Sequence, residues 1–295
     1  MNYLLHILIL INIYIVLSVS LNLLAGYTGL LSICQAAFYG VGAYATALLS
    51  LKAGWPWLGT VAFGIIISGV ISVGIGTASL RFRDDYFIIA TLAFQVLLYS
   101  IMQNWIDLTQ GPLGVSGIPQ PLILGWQVSS NGGFFLLSLF FSALTFLFVR
   151  RIVNAPYGRV LQAIREDDLF ALSLGKNVAA YKVSAFVIGA MLAAIAGSVY
   201  ATYITYIDPT SFTVNESIFI LAIVILGGSG SVLGSLAGAV FLVVVPELLR
   251  FLGMPSSISA NIRQILYGTL LVVCMMWRPQ GLIGKYSFQK DGSNR

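Results

Sequence analysis

The residues best suited to work in water lie between Arg150 and Lys182, in a chain that otherwise favours lipid. This stretch holds six of the fifteen basic residues (Arg150, Arg151, Arg159, Arg165, Lys176, Lys182) and three of the ten acids (Glu166, Asp167, Asp168). The run from Arg165 through Glu166, Asp167 and Asp168 to Gly175 puts carboxylates where a helix begins and glycine where it stops. Phe170, Ala171 and Leu174 fall on one face of those turns. Pro156 can open an earlier helix, with Val160, Leu161 and Ile164 as its apolar stripe. A short amphipathic helix with uncovered apolar side chains needs a groove to lie in. The chemistry this pattern serves is mechanical: a soluble partner can grip it and push.

Covalent chemistry has far less to draw on. The sequence offers no histidine cluster, no paired carboxylates at helical spacing and no Ser/His or Cys/His combination. His6 is the single histidine. Cys34 and Cys274 stand far apart in apolar segments, with neither a metal site nor a disulfide indicated. No G-x-x-x-x-G-K-S/T loop is present to cradle ATP. Glu216 and Glu247 lie at the edges of apolar segments, where snorkelling to the interface accounts for them. A proton- or sodium-coupled carrier usually shows acids in mid-membrane, and none stands out. The reading is a transport subunit, not an enzyme, with no cofactor of its own and energy supplied from outside.

The elements that must position these residues are membrane helices. Hydrophobic residues make up 58% of the chain and charged ones 8%, with mean hydropathy +0.94. Soluble domains carry about 25% charged residues, so this is an all-α integral membrane protein. Its 295 residues, at about 20 per span, allow roughly eight to ten helices. These form one transmembrane domain, 1–295, a polytopic bundle in contact with lipid. The formal charge of +5 reflects cationic loops on one membrane face rather than nucleic-acid binding. The first apolar run continues to Leu24 without a cleavage motif and reads as a retained span.

Apolar segments run about 4–24, 30–50, 57–80, 86–105, 133–149, 183–206, 216–227, 232–249 and 264–277. The short segments 216–227 and 264–277, with glycines around 26–42 and 227–238, predict broken or re-entrant helices. With 150–182 inside and every segment a crossing, twelve basic residues fall inside, among them Arg81, Arg83, Arg278, Lys285, Lys290 and Arg295. Lys52, Arg250 and Arg263 remain outside. That asymmetry makes loop 150–182 and the C-terminus cytoplasmic. The N-terminus then comes out external, unless an early segment is re-entrant. Loop 106–132, rich in glycine, proline and aromatic residues, reads as an ordered external surface for a partner.

Most intramembrane glycines serve close helix packing, as in Gly40-Val41-Gly42-Ala43 and Gly234-Ser235-Leu236-Ala237-Gly238. The exceptions are Gly26-Tyr27-Thr28-Gly29 and Gly227-Gly228-Ser229-Gly230-Ser231, each leading into an apolar segment as broken helices at a transport pathway do. Gly26, Gly29, Gln35, Gly227, Gly228 and Ser229 are the candidate pathway residues, beside half-helix ends that can offer backbone N–H groups to a solute.

At these residues the chain resembles the inner-membrane permease subunits of bacterial ABC importers for branched-chain amino acids, of the LivM type. The matching stretches include Leu21-Asn22-Leu23-Leu24-Ala25-Gly26-Tyr27-Thr28-Gly29, Asp85-Tyr86-Phe87-Ile88-Ile89-Ala90, Pro156-Tyr157-Gly158-Arg159, Ala163-Ile164-Arg165-Glu166-Asp167, Gly227-Gly228-Ser229-Gly230-Ser231 and Arg278-Pro279-Gln280-Gly281-Leu282. Where the family often carries a Gly-His pair, this chain has Cys34-Gln35. The resemblance implies a multi-pass protein of the bacterial inner membrane with several partners. Two cytoplasmic ATP-binding subunits would dock on Glu166–Gly175, through Arg165, Glu166, Asp167, Asp168, Phe170, Ala171, Leu174 and Gly175. A second, homologous permease would complete the pathway, and an extracytoplasmic solute-binding protein would deliver the cargo. It implies branched-chain or other neutral amino acids as substrate, with urea or short amides as the alternative within the family. A carrier working without partners is the rival reading outside it.

Overall fold

In the computed structural model, which describes residues 2–79, 84–123, 126–251, 268, 269, 272, 276 and 281–283, eight of the nine apolar segments form helices. The ninth, 264–277, lies largely outside the described residues. So do Arg81, Arg83, Arg263, Cys274, Arg278-Pro279-Gln280, Lys285, Lys290 and Arg295. The helices are α1 (Asn2–Ala25), α2 (Gln35–Lys52), α3 (Trp57–Ser79), α4 (Asp84–Asn104), α5 (Ile106–Thr109), α6 (Asn131–Asn154), α7 (Pro156–Glu166), α8 (Asp168–Ser173), α9 (Val178–Ile204), α10 (Val214–Gly227) and α11 (Val232–Phe251). Long apolar runs take this form because only helices satisfy their own backbone where water is absent.

Five helices are long and apolar enough to cross a membrane: α1, α3, α4, α6 and α9. A sixth candidate is the pair α10 and α11, bent by 120° at the break between them, which is the broken segment that the glycines predict. The expected eight to ten spans thus reduce, among the described residues, to five or six on length and hydropathy. Helix α2 stands apart, at 18 residues with most of them buried.

Helix directions follow from contacts. His6 Nδ1 meets the Tyr203 hydroxyl at 2.7 Å, while a Cβ on Gly189 would lie 3.1 Å from the Ser20 carbonyl oxygen. Helices α1 and α9 are therefore antiparallel. Since α9 starts among the basic residues, α1 starts at the opposite end of the bundle. Helix α2 begins beside Ser20 and Gly189 and runs back to that opposite end, where Lys52 Nζ donates to the Asp107 carbonyl at 3.2 Å.

Small residues let the backbones touch. A Cβ on Gly42 would lie 2.5 Å from Ala194 Cα, and one on Gly197 would lie 2.7 Å from Ala43 N. Here α2 and α9 meet backbone to backbone, as packing-driven association in lipid favours. Around this seam stand Phe212, Tyr39 and Tyr200, with Tyr39 and Phe212 rings edge to face at 5.1 Å.

The described residues of loop 106–132 are not featureless. They carry α5, a 3-10 turn at Gly111–Leu113, β1 (Val115–Ser116), β2 (Leu122–Ile123) and β3 (Trp126–Gln127). Strands β2 and β3 form a small hairpin. Strand β1 pairs antiparallel with β4 (Tyr206–Ile207), Val115 opposite Ile207, which ties this loop to the connection before α10.

Candidate coupling and gating site

The polar stretch folds as two helices. Pro156 stands at the first position of α7, as the sequence predicts, with Leu161 and Ile164 buried beneath it. Tyr157 also turns inward, its hydroxyl 2.6 Å from Ser184 Oγ. Burial pushes this phenol above its ordinary pKa, while the Ser184 bond pulls the other way.

The chain breaks at Asp167, so Glu166–Gly175 is not one helix. Glu166 is the last residue of α7, and Asp167 is extended and caps α8, its Oδ1 accepting from Leu169 N at 2.8 Å and Phe170 N at 3.1 Å. A short acid that bonds the next two amides competes with helix at its own position and starts one after it. Asp168 pairs with the buried Lys182 at 2.5 Å, clamping α8 to the first turns of α9. Gly175 ends the unit at φ +73°. Gly175 N donates to Leu172 O at 2.9 Å and Lys176 N to Ala171 O at 3.2 Å, the two bonds of a Schellman stop.

The apolar face of α8 differs from expectation at one residue. Ala171 points inward and packs with Ile164 and Val178. Phe170 and Leu174 point outward, joined by Leu169 and Leu172, with Leu169 77% exposed and Phe170 59%. Ala171 is an anchor, and the outward side of the helix is the larger surface.

Arg165 does not belong to that outward surface. Its side chain is half-buried and turns into the bundle, where Nη1 donates to the Gly26 carbonyl and Nη2 to Ser229 Oγ at 3.4 Å. Its stem lies over Gly29, where a Cβ would sit 3.2 Å from Arg165 Cγ and where φ is +77°. The structure thus brings Arg165 together with Gly26, Gly29 and Ser229, residues that the sequence placed in a separate group. Gly228 lies against Gly281, whose Cβ position is 2.6 Å from Gly228 Cα. Gly227 faces Gly234, a Cβ there lying 2.7 Å from the Gly234 carbonyl carbon. Its lack of a side chain lets α10 and α11 approach closely at their bend. Gln35 stands apart, donating to Ser20 Oγ at 2.6 Å and to Gly189 O at 3.4 Å.

Two amides missed in the sequence organise this interior. Asn22 holds the turn between α10 and α11: its Nδ2 donates to Ser231 O at 2.8 Å and Ser235 Oγ at 2.7 Å, and its Oδ1 accepts from Gly230 N at 3.0 Å. Gln95, halfway along α4, accepts from Ala37 N at 2.8 Å and Ser217 Oγ at 3.1 Å and donates to Phe212 O at 2.8 Å. Ser217 in turn accepts from Ala36 N at 2.9 Å. Gln95 therefore joins the start of α2 to the start of α10, both of which begin inside the bundle. Glu216 lies there too, accepting from the Tyr14 hydroxyl at 2.7 Å. Its partner lies in the middle of α1, so the carboxylate faces into the bundle. Cys34, at this joint, is a buried free thiol, and no group of metal-ligating residues occurs among the described residues.

Comparison with known proteins places this architecture. The profile of the family described as branched-chain amino acid transport system / permease component matches residues 3–275. The chain belongs to that family. It is 34% identical to the high-affinity branched-chain amino acid transport system permease protein LivM of Salmonella typhimurium, over 92% of this chain and 68% of that protein. It is 28% identical to the probable branched-chain amino acid transport permease protein LivM of Methanocaldococcus jannaschii, over 92% and 90%. It is 26% identical to the high-affinity branched-chain amino acid transport system permease protein LivH of Salmonella typhimurium, over 94% and 93%. No solved structure matches. Membership makes this a multi-pass transport permease.

Proposed function

We propose that the chain is the permease subunit of an ATP-driven importer of branched-chain amino acids, spanning the bacterial inner membrane as a single domain. The names of its relatives support that cargo and do not favour urea, short amides or a carrier working alone. One observation carries the mechanism: at the basic end, α8 is capped at both ends and clamped to α9, yet turns Leu169, Phe170, Leu172 and Leu174 to water. Such a surface fits a groove on a cytoplasmic ATP-binding subunit, two of which would serve this permease and a second, homologous one. ATP is used by those subunits. On this reading loop 150–182 and the C-terminus face the cytoplasm, and loop 106–132 receives a solute-binding protein on the outside. The amino acid passes near the joint at Gln35 and leaves past the turns containing Gly26, Gly29, Gly228 and Ser229.

The test is Phe170→Asp. A charge on that face should release the ATP-binding subunits during purification and lower ATP-dependent leucine uptake about tenfold or more, as for loss of a central interface anchor. Undiminished uptake with the subunits still bound would remove the docking assignment. Uptake that survives collapse of the proton gradient, with ATP maintained, separates this importer from a proton-driven carrier.

A further inference from the structure

We infer that Arg165 is a positioning residue for transport: its guanidinium links the base of the docking helix to the turns Gly26–Gly29 and Gly228–Ser231, and holds the inner end of the bundle shut until α8 moves. The inference rests on the docking reading of α8 and deepens it.

The turns come from distant parts of the chain, one following α1 and the other between α10 and α11. Neutral bonds from Asn22 to Gly230, Ser231 and Ser235 fasten the α10–α11 turn to α1. Between the turns runs Arg165, which reaches Gly26 O with one nitrogen and Ser229 Oγ with the other. A planar fork of donors suits this task, since a lysine's single ammonium cannot serve two acceptors in fixed directions equally well. Gly29, lacking a side chain, leaves room for the arginine stem.

The same residue is mechanically close to the dock. Arg165 is two positions before Asp167, the one extended residue between α7 and α8. Helix α7 is held by Leu161 and Ile164, and α8 by Ala171 and the Asp168–Lys182 pair. A displacement of α8 passes into α9 through the Asp168–Lys182 pair and, through Asp167, into the last turn of α7. Because the guanidinium is half-buried, water can take over its bonds as it withdraws. Its neutral neighbours are sealed from water: Asn22 is buried throughout. This contact between dock and turns can therefore be exchanged for solvent at low cost.

The test uses the assembled importer, with its ATP-binding subunits and second permease, in proteoliposomes supplied with the binding protein and leucine. Arg165→Ala should keep the ATP-binding subunits bound and ATP hydrolysis running, now without dependence on the binding protein, while uptake falls about tenfold or more. Arg165→Lys should restore part of the uptake, and Ser229→Ala should lower it only about threefold. Unchanged uptake in Arg165→Ala overturns the inference. Release of the ATP-binding subunits also overturns it, making Arg165 part of the dock. Because Phe170→Asp tests the dock separately, the two failures are distinguishable. Should Arg165→Ala not accumulate, a chain carrying Cys34→Ala, Cys274→Ala, Arg165→Cys and Ser229→Cys decides the matter with a short bifunctional thiol reagent. Cross-linking should be efficient without nucleotide and lost when the ATP-binding subunits are trapped with ADP and vanadate. Equal cross-linking in both states sinks the proposal.

Discussion

Two places in this molecule join distant parts of the chain through polar side chains, and they are built differently. At mid-bundle, Gln95 and Ser217 fasten the starts of α2 and α10 with neutral bonds, every participant buried. At the basic end, a half-buried arginine fastens two glycine turns beside water. In the first place no solvent can replace a lost partner, so each bond is effectively permanent. In the second, water competes for the same acceptors and a small force can shift the balance. The contrast separates a fixed joint from a movable one within a single chain.

The largest effect expected from disturbing this contrast is at the fixed joint. Gln95→Leu leaves Ala37 N, Phe212 O and the Ser217 hydroxyl without their partner, at about 1–3 kcal/mol each. A large drop in thermal stability in detergent should follow, with little protein reaching the membrane. If the variant is as stable as the parent, the joint is not a fixed one. Ser217→Ala removes one hydroxyl and should cost about 1–2 kcal/mol, seen as a smaller shift in the same melting experiment. At the movable end, Arg165→Ala should reverse the pattern, with near-normal melting and poor uptake. The smallest expected effect is at Asp167→Ala, which removes the cap of α8 at about 1 kcal/mol. Global melting should barely change, while binding of the ATP-binding subunits weakens.

Much of this organisation was legible from residue types. Segment lengths and hydropathy pointed to the bundle, and the glycine runs pointed to its broken helix. The acids and Gly175 predicted a capped helix, and Pro156 predicted the start of α7. What escaped were matters of distance in sequence. Gln95 and Asn22 are single amides within apolar runs, with no periodicity to mark them, and their partners lie far along the chain. The sequence neighbours of Arg165 belong to the dock, and nothing in them marks its contacts with Gly26 and Ser229. Only its side-chain direction, fixed by the burial of Leu161 and Ile164 on the same helix, turns it toward the glycine turns. Glu216 reads as an interfacial acid because it stands at the edge of an apolar segment, whereas its carboxylate accepts from Tyr14 of α1. The Asp167 break is decided by a local contest between a side-chain cap and one more helical turn, which segment-scale reading does not resolve.

The pairing of β1 with β4 has a consequence for how the two faces of the membrane communicate. On the proposed orientation, a binding protein seated on loop 106–132 would pull on Val115 and through it on Ile207, and so on the fourteen-residue rod of α10, whose far tip meets the glycine turn. Such a line conducts in both directions. If nucleotide at one surface alters the grip on a cargo carrier at the other, arrival of that carrier must alter the grip on nucleotide by the same factor.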